Sequence, residues 1–205
     1  MVEKSHWSKM VEANPDHSVW FVKRFRDMAA AGHDINGEAR LVDAMAGRAS
    51  RILDAGCGSG RVGGALARAG HDVVGVDVDP VLIEAAVEDH PGPTWLVGDL
   101  AELDLPARGV AGAFDVVVSA GNVMPFLAPS TRVEVLERFR DHLAPEGRIV
   151  VGFGAGRGYA FDDFLNDARS ARLEADLLLS GWDLRPFRDD SEFLVAVLRP
   201  AATTP

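Results

Sequence analysis

Two kinds of hydrophobic pattern alternate along the chain from residue 51 onward. Short runs rich in Val, Ile and Leu are each followed by a segment whose apolar residues recur every three or four positions. The runs are typical of buried strands and the segments of helices, and their alternation is the pattern of a parallel sheet with helices on both faces. Strands are predicted at residues 51–55, 72–77, 94–98, 114–119 and 148–153.

The preceding part of the chain, residues 2–46, has no strand pattern and is predicted to form a helical cap. Helices are predicted over residues 5–13, from 16 to about 31, and from 36 or 37 to 47. Asn14-Pro15-Asp16 separates the first two, and Gly32 ends the second. A further helix is predicted between the fourth and fifth strands, with Ser130 as its N-cap, Leu143 in its apolar stripe and a stop near Pro145.

The second cap helix carries two candidate faces. One is an apolar stripe that we interpret as core and that contains Phe21, Phe25 and Met28. The other face consists of His17, Trp20 and Arg24, at positions i, i+3 and i+7, and combines one aromatic ring with two polar side-chain ends. This second face either contacts a substrate or packs against the rest of the domain without contacting a ligand.

The most informative segment, residues 51–62, reads R-I-L-D-A-G-C-G-S-G-R-V. Gly56, Gly58 and Gly60 follow a buried strand and lead directly into a helix, so a ligand can lie against main-chain amides at the helix N-terminus. Cys57, within this turn, is interpreted as a small packing residue that faces the ligand. The glycine pattern alone is compatible with plain turns and with several nucleotide ligands.

Two features of this loop point to different ligands. Gly58, Gly60 and Gly63 satisfy the G-x-G-x-x-G spacing of dinucleotide sites. A nicotinamide-dependent oxidoreductase is therefore an alternative function. Asp54, two residues before the first glycine, lies poorly beside a pyrophosphate. It suits a ligand that carries an ammonium next to a carboxylate, such as the amino-acid end of S-adenosylmethionine.

Acidic residues end the next two predicted strands. Asp77 ends the second strand, at a position that falls beside the ribose of a ligand in a right-handed crossover, while Asp79 and Pro80 fit the N-cap and first turn of the following helix. Asp99 ends the third strand, where an acid can accept a hydrogen bond from an adenine amine, with Leu100 or Ala101 supplying a backbone N–H and apolar contact. The alternatives are a helix cap for Asp77 and an exposed loop acid for Asp99.

The fourth and fifth strands lead into two further candidate loops. The turn from Ser119 to Asn122 falls at the carboxyl edge of the sheet, where open α/β folds bind ligands. The segment after the fifth strand reads G-F-G-A-G-R-G-Y and is predicted to be a mobile loop. Arg157 and Tyr159 are its candidate substrate contacts, and a flexible linker without a ligand is the alternative.

Composition narrows the class of protein. The chain has 205 residues, of which 47% are hydrophobic, enough for one substantial core. A net charge of −10 disfavours extended contacts with nucleic acid phosphates. The single cysteine excludes an internal disulfide and a multi-cysteine metal site, and no metal is predicted. Without an apolar run long enough for a membrane span or a signal peptide, we expect a soluble, cytoplasmic protein with no membrane partner.

The motifs L-D-A-G-C-G-S-G, V-G-V-D, G-D-L and F-D-V-V-V-S-A, in this order, resemble those of class I S-adenosylmethionine-dependent methyltransferases over residues 50–200. The resemblance implies an α/β, Rossmann-like, doubly wound sheet of seven mostly parallel strands, with a C-terminal antiparallel hairpin built from residues 173–179 and 193–198. It implies S-adenosylmethionine as cofactor and S-adenosylhomocysteine as product. The cofactor-binding residues expected from the motifs and their neighbours are Asp54, Gly56, Cys57, Gly58, Gly60, Asp77, Val78, Asp99, Leu100, Ala101, Ser119, Ala120, Gly121 and Asn122.

The expected function is methyl transfer to a small-molecule acceptor by in-line displacement. We expect one methyltransferase domain over residues 1–205, with a helical cap at 1–48, a cofactor-binding core at 49–200 and a tail at 201–205. Nothing in the sequence identifies the acceptor, a general base or the oligomeric state. A cofactor-binding protein without catalysis remains the main alternative.

Overall fold

The computed structural model describes residues 2–202; residue 1 and residues 203–205, the end of the predicted tail, lie outside the described residues. A seven-stranded sheet with the order β3-β2-β1-β4-β5-β7-β6 forms its centre. The strands are β1 Arg51–Ala55, β2 Asp72–Asp77, β3 Thr94–Val97, β4 Phe114–Ser119, β5 Leu143–Gly154, β6 Leu173–Leu179 and β7 Phe193–Pro200. The α/β prediction is confirmed.

Eight α-helices surround or cap this sheet in the described part of the chain. They are α1 His6–Ala13, α2 Asp16–Ala30, α3 Gly37–Met45, α4 Arg61–Arg68, α5 Pro80–Asp89, α6 Val123–Phe126, α7 Arg132–Asp141 and α8 Phe161–Ser170. Asp79 caps α5 as predicted, because its side chain accepts a hydrogen bond from the Val81 N–H at 2.9 Å. None of the helices in residues 2–202 combines the length and apolar character that a membrane span requires.

The central strands are buried on both faces, which explains their continuous apolar runs. Ile52 packs in a cluster with Val42 of α3 and Leu66 of α4, while the next residue, Leu53, packs on the opposite face with Phe139 of α7. Because successive strand side chains point to opposite faces, every residue of such a strand meets a helix layer. The sheet is therefore doubly wound.

Strand pairing sets where a ligand can bind. β1 pairs in parallel with β2 on one side and with β4 on the other. The chain thus winds outward in one direction from β1 to β3 and then returns to the other side of β1, which creates a topological switch point at the carboxyl ends of β1 and β4. β7 runs antiparallel to both β5 and β6, which confirms the expected C-terminal hairpin.

The helix before β5 differs from the prediction. α7 ends at Asp141, its N-cap is Thr131, and Leu143 already pairs with Phe114 as the first residue of β5. Gly147 makes this early pairing possible, since a Cβ there would lie 2.8 Å from the Phe114 carbonyl oxygen. The Ser130 hydroxyl, predicted to cap this helix, instead donates a hydrogen bond to Glu3 at 2.7 Å.

Candidate functional site

A cavity of about 630 Å³ opens at the carboxyl ends of β1, β2 and β4. The glycine loop and the acidic strand ends form its floor, and the N-terminal helices and the loops after β4 and β5 form its remaining walls. Its volume is in the range of sites for small organic ligands. It coincides with the switch point of the sheet, so topology and cavity indicate the same site.

Backbone hydrogen bonds hold the glycine loop at the floor of this cavity. Gly56, Gly58 and Gly60 have φ angles of +79°, +54° and +79°, a conformation that glycine adopts without steric cost. The N–H groups of Gly56 and Cys57 both donate to the Val76 carbonyl, at 2.8 and 3.0 Å, and tie the loop to β2. Main-chain atoms are therefore presented to the cavity in one fixed arrangement.

Asp54 lies beneath this loop at the end of β1. Its Oδ2 accepts a hydrogen bond from the Gly63 N–H in the first turn of α4, at 2.8 Å. The side chain is buried, and burial raises the pKa of Asp54 to about 7, against the opposing effect of the Gly63 N–H and of nearby Arg61. A buried carboxylate that faces a cavity favours a cationic ligand group.

Asp77 lies at the end of β2 and fixes the same loop from the other side. Its Oδ2 accepts a hydrogen bond from the Gly58 N–H at 2.8 Å, and its Oδ1 accepts one from the Asp79 N–H at 2.9 Å. Burial raises the pKa of Asp77 to about 6. Since a carboxylate has about four acceptor positions, each oxygen keeps capacity for a ligand hydroxyl.

Asp99 follows β3 and also lines the cavity, together with Leu100. Its Oδ1 accepts a hydrogen bond from the Ala101 N–H at 2.9 Å. The Ala101 N–H, one of the two backbone donors predicted to face the ligand, is therefore already occupied by the Asp99 carboxylate. Ala101 is buried off the cavity wall, as are Ser119 and Gly60.

The turn after β4 forms the inner wall through Ala120, Gly121 and Asn122. Asn122 is in the left-handed region with φ +66°, and its Oδ1 accepts a hydrogen bond from the Gly154 N–H at 2.8 Å. The side chain therefore joins the end of β4 to the end of β5 and still faces the cavity. Cys57 and Val78 line the cavity too, and burial raises the pKa of the Cys57 thiol.

The helical cap covers the cavity with α2. The candidate face of His17, Trp20 and Arg24 lines the cavity. Phe21, Phe25 and Met28 are half-buried and line the cavity as well, although Phe21 also packs against the buried cluster of Val22, Leu82 and Ala85. The interpretation of the stripe as core is therefore correct in part for Phe21 and wrong for Phe25 and Met28. The face of α2 that is buried in the protein consists of Ser18 and Val22.

A buried ion pair beside the glycine loop was missed by sequence reasoning. Arg61, the first residue of α4, contacts Glu38 of α3 at 2.6 Å, with side-chain exposures of only 14% and 17%. The Arg61 guanidinium also lies 5.2 Å from the centre of the Phe25 ring. These contacts join α2 and α3 of the cap to the loop, and nothing in the local spacing of either residue indicates the pairing.

The two candidates after β5 separate in the structure. Arg157 lines the cavity, whereas Tyr159 is 3% exposed and stacks on Phe153. The Tyr159 hydroxyl donates to Asp167 at 2.5 Å, and burial is the main reason that its pKa is raised. Tyr159 is therefore a core residue, and its prediction as a substrate contact is wrong.

The fold and the cavity together define a doubly wound α/β domain with a ligand-sized cavity at its switch point. A methyltransferase domain model matches residues 52–147 of the chain. A solved TehB-like S-adenosylmethionine-dependent methyltransferase from Corynebacterium glutamicum is 51% identical, with a TM-score of 0.86, and the match covers 91% of this chain and 100% of that one. The chain belongs to the class I S-adenosylmethionine-dependent methyltransferases.

Curated relatives vary in their acceptors. Magnesium-protoporphyrin O-methyltransferase of Rhodobacter capsulatus is 34% identical over 60% of this chain and 53% of its own length. Ribosomal protein L11 methyltransferase of Dechloromonas aromatica is 38% identical over 50% of this chain and 32% of its own length. The chain thus spans about half the length of the first of these relatives and a third of the second.

Proposed function

We propose that this protein transfers the methyl group of S-adenosylmethionine to a small-molecule acceptor and releases S-adenosylhomocysteine. The observation that carries the proposal is the convergence of the glycine loop and three strand-end acids, Asp54, Asp77 and Asp99, on one cavity that the helical cap covers. The family supports S-adenosylmethionine over a nicotinamide cofactor. Asp54 supports it too, since a carboxylate beneath the loop would repel a pyrophosphate.

The residues at the strand ends fit the chemistry of this cofactor. In our proposal Asp54 faces the ammonium of the methionine end, and the loop from Gly56 to Ser59 lies along that end. Asp77 accepts hydrogen bonds from the ribose hydroxyls with the acceptor capacity that Gly58 and Asp79 leave free. Asp99 accepts from the adenine amine, and Leu100 packs against the ring.

When bound, S-adenosylmethionine supplies a methyl group already activated by a sulfonium. The protein's task is to align a nucleophile with it and to keep water away. Phe21 and Phe25 of α2 supply the apolar cover, and Asn122 fixes the inner wall through its bond to the Gly154 N–H. We assign no general base, although His17 is the one histidine on the cavity wall among the described residues.

Three observations support a small molecule as acceptor. The cavity of about 630 Å³ is within the range of small-molecule sites. The chain's net charge of −10 opposes binding to RNA. Aromatic rings from the cap, including Trp20, Phe21 and Phe25, enclose part of the cavity, which suits a compact molecule better than a protein loop. We further propose that the chain is one domain and acts in the cytoplasm.

Calorimetric titration with S-adenosylmethionine, S-adenosylhomocysteine and NADH tests the cofactor. We expect the two adenosyl ligands to bind and NADH not to bind. Transfer of a labelled methyl group to a metabolite panel and to ribosomal RNA then tests the acceptor class. Tight cofactor binding with no transfer to any acceptor would favour the alternative of a binding protein without catalysis.

A further inference from the structure

Two arginines on the cavity wall have no acidic, carbonyl or amide partner within residues 2–202. They are Arg24 of α2 and Arg157 of the loop after β5, and both side chains are exposed. The cavity's other charged side chains all have partners. Arg61 pairs with Glu38, Asp34 pairs with Arg40 at 2.6 Å, and the three strand-end acids each accept a backbone N–H.

The two free guanidinium groups enter the cavity from different elements. Arg24 lies over the rings of Trp20 and Phe25, at 5.7 and 5.8 Å from their centres. Arg157 lies against the end of β5, where a Cβ built on Gly154 would meet its Nε at 3.3 Å. That position adjoins Asn122, whose side chain bonds to Gly154. One cation thus belongs to the cap and the other to the sheet edge.

The cap also presents an aromatic surface that is left partly uncovered. Trp20 is 53% exposed, and its ring stacks on His17 at 5.5 Å with an interplanar angle of 28°. Exposed aromatic rings that line a cavity commonly mark a ligand-binding surface. The flat rings suit a planar apolar body, and the neighbouring Arg24 suits an anion attached to it.

We propose that the methyl acceptor is a carboxylate-bearing small molecule with a flat apolar body, and that Arg24 and Arg157 contact its carboxylate. The proposal rests on the function proposed above. A guanidinium binds a carboxylate through two parallel N–H donors, whereas a neutral acceptor offers these donors no anion. The acids of the cavity do not oppose it, because they lie at the strand ends assigned to the cofactor or are held by Arg40 and Arg61.

The test measures binding to the protein saturated with S-adenosylhomocysteine. The probes are matched sets of hydroxylated aromatic carboxylic acids, their amides and the corresponding aryl phosphates, titrated by calorimetry. We expect at least some acids to bind about 10- to 100-fold more tightly than their amides, as charge-assisted hydrogen bonds would give. Equal binding of acids and amides, tighter binding of the phosphates, or no binding of any acid at millimolar concentration would overturn the proposal.

Variants assign the effect to the two arginines. Arg24→Gln and Arg157→Gln should each weaken binding of the acids about tenfold or more and leave the amides unchanged, while Arg24→Lys should restore only part of the affinity. Arg188→Gln is the matched control, because Arg188 is exposed and lies off the cavity wall. Unchanged affinity for the acids in both glutamine variants would contradict the assignment.

The titration with S-adenosylhomocysteine alone distinguishes a failure of the acceptor assignment from a failure of the proposed function. Arg188→Gln should bind it as the wild type does, whereas a loss of this affinity in Arg24→Gln or Arg157→Gln would place that arginine at the carboxylate of the cofactor and overturn its assignment to the acceptor. If the wild type fails to bind S-adenosylhomocysteine, the proposed function fails. If S-adenosylhomocysteine binds and the acids do not, only the acceptor assignment fails.

Discussion

The carboxylate of Asp77 accepts a hydrogen bond from the backbone N–H of Gly58 at 2.8 Å, across a separation of 19 residues. This contact joins the end of β2 to the centre of the glycine loop. The same carboxylate accepts the N–H of Asp79, which begins the next helix. One side chain therefore sets the geometry of the loop and still has acceptor capacity that faces the cavity.

Replacement of Asp77 by Asn should weaken binding of S-adenosylhomocysteine by about 1–3 kcal/mol, since it removes charge-assisted hydrogen bonds to ligand hydroxyls. Calorimetric titration measures this change. Asp72→Asn, at the exposed start of the same strand, is the control and should bind normally. An unchanged affinity in a folded Asp77→Asn protein would remove the ribose assignment.

Binding of S-adenosylhomocysteine should depend on pH through Asp54. Burial raises the pKa of this group to about 7, so its carboxyl is mostly protonated below that pH and cannot attract the ligand's ammonium. We expect the affinity to fall by up to about tenfold for each pH unit below 7 and to level off above it. Titrations between pH 5.5 and 8.5 measure the slope.

The Asp54→Asn variant is the control for that slope. It should bind S-adenosylhomocysteine more weakly at pH 8, and its affinity should change less with pH near pH 7. An equal slope in both proteins would show that a group other than Asp54 causes the pH dependence. The free energy of unfolding should depend on pH with the opposite sign. Because the pKa is raised in the folded state, the contribution of Asp54 to stability is greatest below about pH 4 and declines as pH rises to about 7.

Replacement of Gly56 by Ala should destabilise the fold by more than left-handed backbone strain alone. The strain costs about 1–2 kcal/mol of unfolding free energy. The new Cβ would also lie 2.5 Å from Val123 Cγ2, and such overpacking costs about 1–3 kcal/mol more. Gly32→Ala is the matched control, with φ +76° and open space around it. Denaturant unfolding of both variants measures the difference.

The double variant Gly56→Ala/Val123→Ala tests the cause of that loss. Truncation of Val123 removes the atoms that the new methyl group would meet. We therefore expect the double variant to recover the part of the stability that exceeds the loss in Gly32→Ala. No recovery would show that Val123 is not the obstacle.

The Glu38–Arg61 pair should contribute measurably to the attachment of the cap. Glu38→Gln leaves the largely buried Arg61 without its charged partner, and we expect a loss of about 1.5–3 kcal/mol in unfolding free energy. Asp34→Asn breaks an exposed pair with Arg40 and should cost less, because solvent screens that contact. Equal losses in the two variants would contradict this ranking.

Tyr159→Phe should affect stability and leave binding intact. The substitution removes the hydroxyl that donates to Asp167, and we expect a loss of about 1–3 kcal/mol in unfolding free energy. Binding of S-adenosylhomocysteine should be unchanged, since Tyr159 lies off the cavity wall. A loss of ligand affinity without a loss of stability would return Tyr159 to the site.

The sequence predicted those parts of the site that depend on local order along the chain. Asp54 and Asp77 could be placed together because each ends a strand, and the ends of neighbouring parallel strands meet at one edge of the sheet. The roles of these residues toward the cofactor remain predictions. The fold class and the hairpin were predictable for the same reason, since a motif series in fixed order constrains topology.

Only the tertiary structure decided which of the other predicted side chains face the cavity and which are buried in the core. The pattern of α2 marks Phe21 as apolar, but a cavity wall and a packed core demand the same residue types. Arg157 and Tyr159 are two positions apart, yet one lines the cavity and the other is buried against Phe153. Periodicity determines which residues lie on the same face of a helix or strand. The groups that pack against that face depend on contacts between segments far apart in the chain, such as the contact of Glu38 with Arg61.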